Sequence, residues 1–210
     1  MTRVIVADDH ELMREGVKKI LRGVPGMRVV GEAGSGDELL QLVGSREADV
    51  LILDINLPAR SGLDVLVEIH RVRRALAVVM LSMYPEDRFA LRALKSGASA
   101  YVNKASAAEE LVKAVRKAAK GARYIDPVVA DLLAREIQDP KDARPHEKLS
   151  ARESQILSLI CVGRSARQIA SALSISLNTV YTYRARIAEK MGMQGNSELI
   201  RYAFRHGLTE

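Results

Sequence analysis

At 210 residues, 48% hydrophobic and 28% charged, the chain has room for one large or two small globular domains and too much apolar content for disorder. No apolar run approaches the ~20 residues of a membrane span, and a single cysteine, Cys161, excludes an internal disulfide and a cysteine-based zinc site. The net charge of +6 is uneven: residues 149–210 carry 8 Lys/Arg against 4 Asp/Glu, which points that end towards a polyanionic partner.

The N-terminus turns acidic at Asp8 and Asp9, too early for a signal peptide, so a cytoplasmic location is expected. Up to residue 121, short apolar runs alternate with segments of helical period. Strands are expected at 3–7, 28–33, 50–53, 78–81 and 100–102. Helices are expected at 11–22, 36–46, 63–73, 86–96 and 107–120. Ser35 followed by Glu38 has the spacing of a capping box, and Gly97 and Gly121 stand where helix-ending glycines belong. Buried β-branched runs separated by helices predict an α/β fold, a doubly wound (βα)5 parallel sheet covered on both faces. The domain expected here is 1–121.

Residues 122–148 read as a linker. Asp126-Pro127 opens a short helix near 127–135, and a charged, proline-containing stretch follows it. From Leu149 the pattern is purely helical, so 149–210 is expected to form a second, all-α four-helix domain. Helices are expected at 151–162, 166–173, 177–191 and 197–206, with capping-box spacings at Ser150/Glu153 and Ser165/Gln168 and N-caps at Ser176 and Asn196. Ser174-Ile175-Ser176 has the length of a helix-turn-helix turn.

Polar residues punctuate the predicted strand ends. Asp8 and Asp9 follow the first strand, Asp54 ends the third, Ser82 ends the fourth and Lys104 follows the fifth. In an open parallel sheet, ligands bind beyond the carboxyl ends of the strands, where the strand order reverses. With order 2-1-3-4-5, three carboxylates converge there and repel one another unless a cation or proton intervenes. Mg²⁺ suits such a set, because it accepts one or two carboxylates and keeps open positions for water and phosphate oxygens. Taken singly, each residue has a plainer reading as a helix cap or a solvated lysine; five at the ends of four strands do not.

Four motifs carry a specific resemblance: Val4-Ile-Val-Ala-Asp-Asp-His10, Leu51-Ile-Leu-Asp-Ile-Asn-Leu-Pro-Ala-Arg-Ser-Gly62, Met80-Leu-Ser-Met83 and Gly97-Ala-Ser-Ala-Tyr-Val-Asn-Lys104. They resemble the receiver domain of two-component response regulators. The segments 149–157, 163–170 and 176–191 resemble a LuxR-type helix-turn-helix, and the combination is similar to the NarL/FixJ class. The resemblance implies that Asp54 is the phosphoacceptor in a phosphorelay. It implies that Asp9, Asp54 and the Asn56 backbone carbonyl ligate Mg²⁺, with Asp8 acting through water. Ser82 and Lys104 would contact the phosphoryl group, and Tyr101 would reorient with Ser82. A sensor histidine kinase is the implied donor. Three departures from the family pattern are expected to tune rates: Ala105 after Lys104 where proline is common, Met83 where a small residue is common, and Tyr84 two past Ser82.

On the predicted 177–191 helix, Val180, Ile187 and Met191 share one face by their spacing. Asn178, Tyr181, Thr182 and Ala185 lie opposite and are the candidates for reading base edges. Thr179, Arg184, Arg186 and Lys190 are candidates for phosphate contact. The reading that follows is a phosphorylation-controlled DNA-binding transcriptional regulator rather than an enzyme. Double-stranded DNA, RNA polymerase and a second copy of the phosphorylated chain are its expected partners. A receiver used as an interaction module independent of phosphate is the alternative. A Mg²⁺-dependent phosphatase is disfavoured, because the pocket lacks a second phosphate clamp.

Overall fold

A computed structural model describes residues 1–83, 86–106, 108–138, 145–193, 195–206 and 208. The chain forms two compact units, residues 1–138 and 139–210. In the first, β1 (Thr2–Ala7), β2 (Met27–Ala33), β3 (Val50–Asp54), β4 (Ala77–Ser82) and β5 (Ala100–Asn103) alternate with α1 (Glu11–Arg22), α2 (Gly36–Ser45), α3 (Gly62–Val72), α4 (Glu86–Lys95) and α5 (Ala108–Ala118). All strand pairs are parallel, and their order is β2-β1-β3-β4-β5. This is the flavodoxin-like arrangement that the alternation of elements predicts.

The central strand explains the architecture. All five residues of β3 are buried, which only helices on both faces can achieve. Each buried Val, Leu or Ile contributes roughly 1.5–3 kcal/mol, and β3 supplies four of them ahead of Asp54. The register aligns the strand ends. Ala7 lies opposite Leu53, Asp54 opposite Leu81, and Ser82 opposite Asn103. The residues just past these pairs, Asp8 and Lys104, therefore emerge along one edge beside Asp54 and Ser82.

The caps largely follow the sequence. Ser150 and Ser165 form complete capping boxes with Glu153 and Gln168, and Ser176 accepts from the Thr179 amide. Gly97 and Gly121 end their helices with φ of 103° and 73°. Two expectations are corrected. Ser35 accepts from the Glu38 amide, but the Glu38 carboxylate turns to the Gly34 N–H at 2.7 Å, so only half a box forms. Gly195, not Asn196, is the N-cap of the last helix, and the Asn196 side chain accepts from Arg184 instead.

Within the stretch read as a linker, α6 (Pro127–Gln138) runs three residues past the expected end and packs on α4, with Val129 buried. Tyr124 bridges to Ala100 at the sheet edge, and its amide donates to the Ser99 carbonyl at 2.9 Å. Residues 139–144, the middle of that stretch, lie outside the described residues. Pro145–Lys148 form a 3-10 turn packed on the helix Leu177–Met191 of the second unit.

The second unit contains α7 (Ala151–Cys161), α8 (Ala166–Ala172), α9 (Leu177–Met191) and α10 (Asn196–Arg205). Leu149, Ile156, Leu157, Ile160, Ile169, Val180, Ile187, Met191 and Leu199 form its core. Among the described residues, no helix is long and apolar enough to cross a membrane.

The turn between α8 and α9 places Ser174 at φ 51°, a left-handed conformation that costs a non-glycine residue roughly 1–2 kcal/mol. Ser174→Val, adding a β-branch there, is expected to lower the stability of a 139–210 fragment by roughly that amount again. Ser174→Gly is expected to hold or raise it. Urea titration of both variants checks the order.

Candidate functional site

The pocket is built at the edge that the register aligns. Lys104, at the end of β5, inserts its ammonium between two carboxylates, 2.7 Å from Asp8 Oδ2 and 2.8 Å from Asp54 Oδ2. The three side chains are only 5%, 3% and 1% exposed. The Asp54 contact is a full hydrogen bond, whereas the Asp8 contact is a charge contact whose angle falls short of one. Asp8 Oδ1 accepts from the His10 amide at 2.9 Å, which turns the chain into α1. Asp9 stands beside it, about one third exposed.

Electrostatics follows from burial. Desolvation raises the Asp54 pKa from its ordinary 3.8 to about 6; Lys104 and the Asn56 backbone N–H pull it down, while Asp8 adds to the rise. For Lys104, burial acts against the ammonium, but Asp54 and Asp8 outweigh it and hold its pKa above the ordinary value. Asp54 Oδ1 is buried without a hydrogen-bond partner. Ligand atoms of Asp8, Asp9, His10 and Asp54 all lie within 4.8 Å of one another. A buried, unpaired carboxylate oxygen facing further anionic oxygens calls for a hard cation, so these residues fit Mg²⁺.

The remaining expected residues are placed as follows. Ser82 is fully buried at the end of β4, and Tyr101 is buried on β5. Asn56 is half-buried in the loop after β3, where it bridges to Ser61. The Lys104–Ala105 peptide bond is trans. Met83 is 63% exposed beside the pocket, and Tyr84 lies outside the described residues.

Two contributors went unassigned in the sequence. Gly62 opens α3 against the back of the phosphoacceptor candidate: a Cβ there would stand 1.9 Å from the Asp54 carbonyl oxygen. Only glycine permits that approach, and the Gly62 amide uses it to donate to the Ile55 carbonyl at 2.8 Å. A Ser-Gly pair seven and eight residues after a strand-ending aspartate is its signal. His10 is the other, with Nδ1 2.7 Å from Asp9 Oδ1 and 3.3 Å from Asp8 Oδ1.

In the second unit, α9 buries Val180, Ile187 and Met191 and exposes Asn178, Tyr181, Thr182 and Ala185, the division its spacing predicts. Tyr181 is 52% exposed. The Thr182 hydroxyl donates back to the Asn178 carbonyl, leaving its methyl as the outward chemistry. Thr179 is half-buried, with its hydroxyl 2.7 Å from that of Ser176, and Arg186 is exposed. Arg184 donates to Asn196 on α10.

Lys190 sits apart from this face. Its ammonium lies 2.7 Å from Glu153, a carboxylate only 2% exposed in the α7 capping box. Burial raises the Glu153 pKa, but Lys190 and Ser150 together bring it below its ordinary value. Arg152, also buried, donates to the Leu173 carbonyl that ends α8. These contacts of the buried Glu153 and Arg152 tie α7 to the helix-turn-helix.

Comparisons with known proteins cover both units. Residues 4–116 match the response regulator receiver domain, and residues 147–203 match the bacterial regulatory proteins of the luxR family. The chain is 36% identical over 211 residues to the response regulator GacA of Pseudomonas aeruginosa, covering 100% of this chain and 99% of that one. It is 34% identical to the response regulator UvrY of Escherichia coli, covering 99% and 96%. Among solved structures it is similar to RcsB of Salmonella enterica serovar Typhimurium bound to a promoter in the presence of the phosphomimetic BeF₃⁻. That match has a TM-score of 0.65 and 27% identity over 96% of this chain and 97% of that one.

The raised Asp54 pKa makes a signed prediction. Between pH 3.8 and about 6 the folded protein holds a proton that the unfolded chain has released, so stability falls as pH rises through that window. Asp54→Asn lacks this loss. In metal-free buffer the variant is expected to match the wild type near pH 4. Above pH 6 it is expected to exceed the wild type by about 2–3 kcal/mol. Denaturant titrations at several pH values check this, and a gap that widens on acidification would contradict it.

Proposed function

The chain belongs to the response regulators, with a receiver domain followed by a luxR-family helix-turn-helix as in the NarL/FixJ class, and we propose that phosphorylation of Asp54 controls DNA binding by α9. The observation that carries this reading is a buried carboxylate with one oxygen held by Lys104 and the other unpartnered, at the switch point of a parallel sheet.

The chemistry needs an ionised Asp54. Burial raises its pKa to about 6, still below neutral pH, so the carboxylate form predominates there. A carboxylate oxygen of Asp54 attacks the phosphorus of a phosphohistidine on a sensor kinase. The new O–P bond replaces the P–N bond, and the departing imidazole takes up a proton. Asp8, Asp9, Asp54 and the Asn56 carbonyl would hold Mg²⁺, which when bound offsets the charge of the phosphoryl oxygens. Lys104 keeps a cation on those oxygens. Ser82, buried at the strand end, supplies a hydroxyl for them, and movement of that hydroxyl makes room for Tyr101 to shift inward.

In the second unit the N-terminal half of α9 enters the major groove, with Asn178, Tyr181, Thr182 and Ala185 towards base edges. Thr179, Arg184 and Arg186 contact phosphates. Lys190 serves as the brace of Glu153 rather than as a phosphate contact. The GacA and UvrY relatives are response regulators, and RcsB is bound to promoter DNA in its structure. By that likeness this chain takes a sensor histidine kinase, double-stranded DNA, a second copy of itself and RNA polymerase as partners. It works in the cytoplasm.

Asp54→Asn is expected to take no label from acetyl phosphate while remaining folded. Hydroxylamine-sensitive label persisting on the variant would remove Asp54 from the role. Tyr181→Ala and Thr182→Ala are expected to change sequence preference, losing roughly 1–3 kcal/mol at particular base positions of a randomised half-site library. Lys190→Ala acts through Glu153 and lowers the thermal midpoint of the second unit. Uniform loss of affinity with unchanged stability would instead return Lys190 to the phosphate backbone.

A further inference from the structure

We propose that His10 adds a nitrogen ligand to the carboxylate pocket, so that the site prefers late first-row transition cations such as Co²⁺ and Ni²⁺ over Mg²⁺. The proposal rests on the reading of this pocket as a cation site and specifies which cation it selects.

The imidazole faces two of the pocket's carboxylates. His10 is the N-cap residue of α1, yet its side chain makes no capping hydrogen bond. Its Nδ1 lies 2.7 Å from Asp9 Oδ1 and 3.3 Å from Asp8 Oδ1, distances at which a ring nitrogen and carboxylate oxygens must share a proton or a cation. Asp54 Oδ1 points to a cation independently: it is buried, has no hydrogen-bond partner, and belongs to a side chain 1% exposed.

Size and charge agree with one divalent ion. Metal–ligand bonds of about 2.1 Å put the ligands of a single ion about 3–4 Å apart; the four residues offer atoms within 4.8 Å of one another, so the wider pairs close slightly and the 2.7 Å His10–Asp9 pair opens slightly to form the shell. Three carboxylates against the Lys104 ammonium leave two negative charges, and a neutral imidazole adds none. Oxygen ligands alone suit Mg²⁺. An imidazole nitrogen shifts preference towards Co²⁺, Ni²⁺ and Zn²⁺, which bind nitrogen more strongly in the Irving–Williams order. Because His10 is 67% exposed, the ring can turn onto a bound ion without disturbing the core.

Calorimetric titration of the full chain with NiCl₂ and with MgCl₂ gives an affinity ratio for each variant. His10→Ala is expected to lower the Ni²⁺-to-Mg²⁺ ratio at least about tenfold. In the Co²⁺-loaded wild type, proton NMR is expected to show a strongly shifted, exchangeable imidazole N–H, from Nε2 of a ring bound through Nδ1, and His10→Ala should remove that signal. Co²⁺ binding with no such signal, together with an unchanged ratio in His10→Ala, would overturn the nitrogen ligand and leave the Mg²⁺ pocket standing. If neither cation binds the wild type more tightly than Asp54→Asn, the cation site itself is overturned.

Discussion

One ammonium holds two buried carboxylates at the end of a parallel sheet, and the first unit is organised around that contact. Asp8 and Asp54 are each almost inaccessible to water, and without Lys104 their mutual repulsion and desolvation would oppose folding. The sheet register sets the ends of β1, β3, β4 and β5 level, so Asp8, Asp54 and Lys104 meet. Gly62 lets α3 press against the Asp54 backbone, and the Ser61 hydroxyl accepts from the Leu63 amide to start that helix. The residual tension, visible in the raised Asp54 pKa, is the property a charge-switched site requires. A phosphoryl group or a divalent ion enters a pocket whose electrostatics are not yet settled.

The second unit uses buried charge differently. Glu153, Lys190 and Arg152 connect the capping box of α7 with the end of α9 and the turn after α8. Lys190 pairs with Glu153, and Arg152 donates to Gln155 and the Leu173 carbonyl, so these contacts fix the geometry of the unit. Breaking such a pair leaves a buried charge uncompensated, which is why removing Lys190 is a stability experiment before it is a DNA-binding one. The exposed face of α9, led by Tyr181, is left to the partner.

The sequence is most legible where period and punctuation coincide. Apolar runs that end on Asp54 and Ser82 announce the strands singly, and announce a functional end only when the polar residues at four strand ends are taken together. Ser-x-x-Glu spacing is less decisive. It forms complete boxes at Ser150 and Ser165, but at Ser35 the Glu38 carboxylate finds the Gly34 amide one residue earlier. Contacts between distant segments are the hidden part. Nothing local to Lys190 discloses a partner 37 positions earlier, and nothing near Asn196 discloses Arg184. Gly62 hides for the same reason: its role is a close approach that exists only once β3 and α3 are packed.

In the proposed function, charge chemistry at Asp54 governs DNA binding by α9. Fluorescence anisotropy of the full chain on promoter DNA, with Mg²⁺ and with or without beryllofluoride, tests it most directly. Tighter binding is expected when beryllofluoride is present, with no such change in Asp54→Asn. Equal affinity with and without beryllofluoride in the wild type would contradict it and make the receiver an interaction module independent of phosphate.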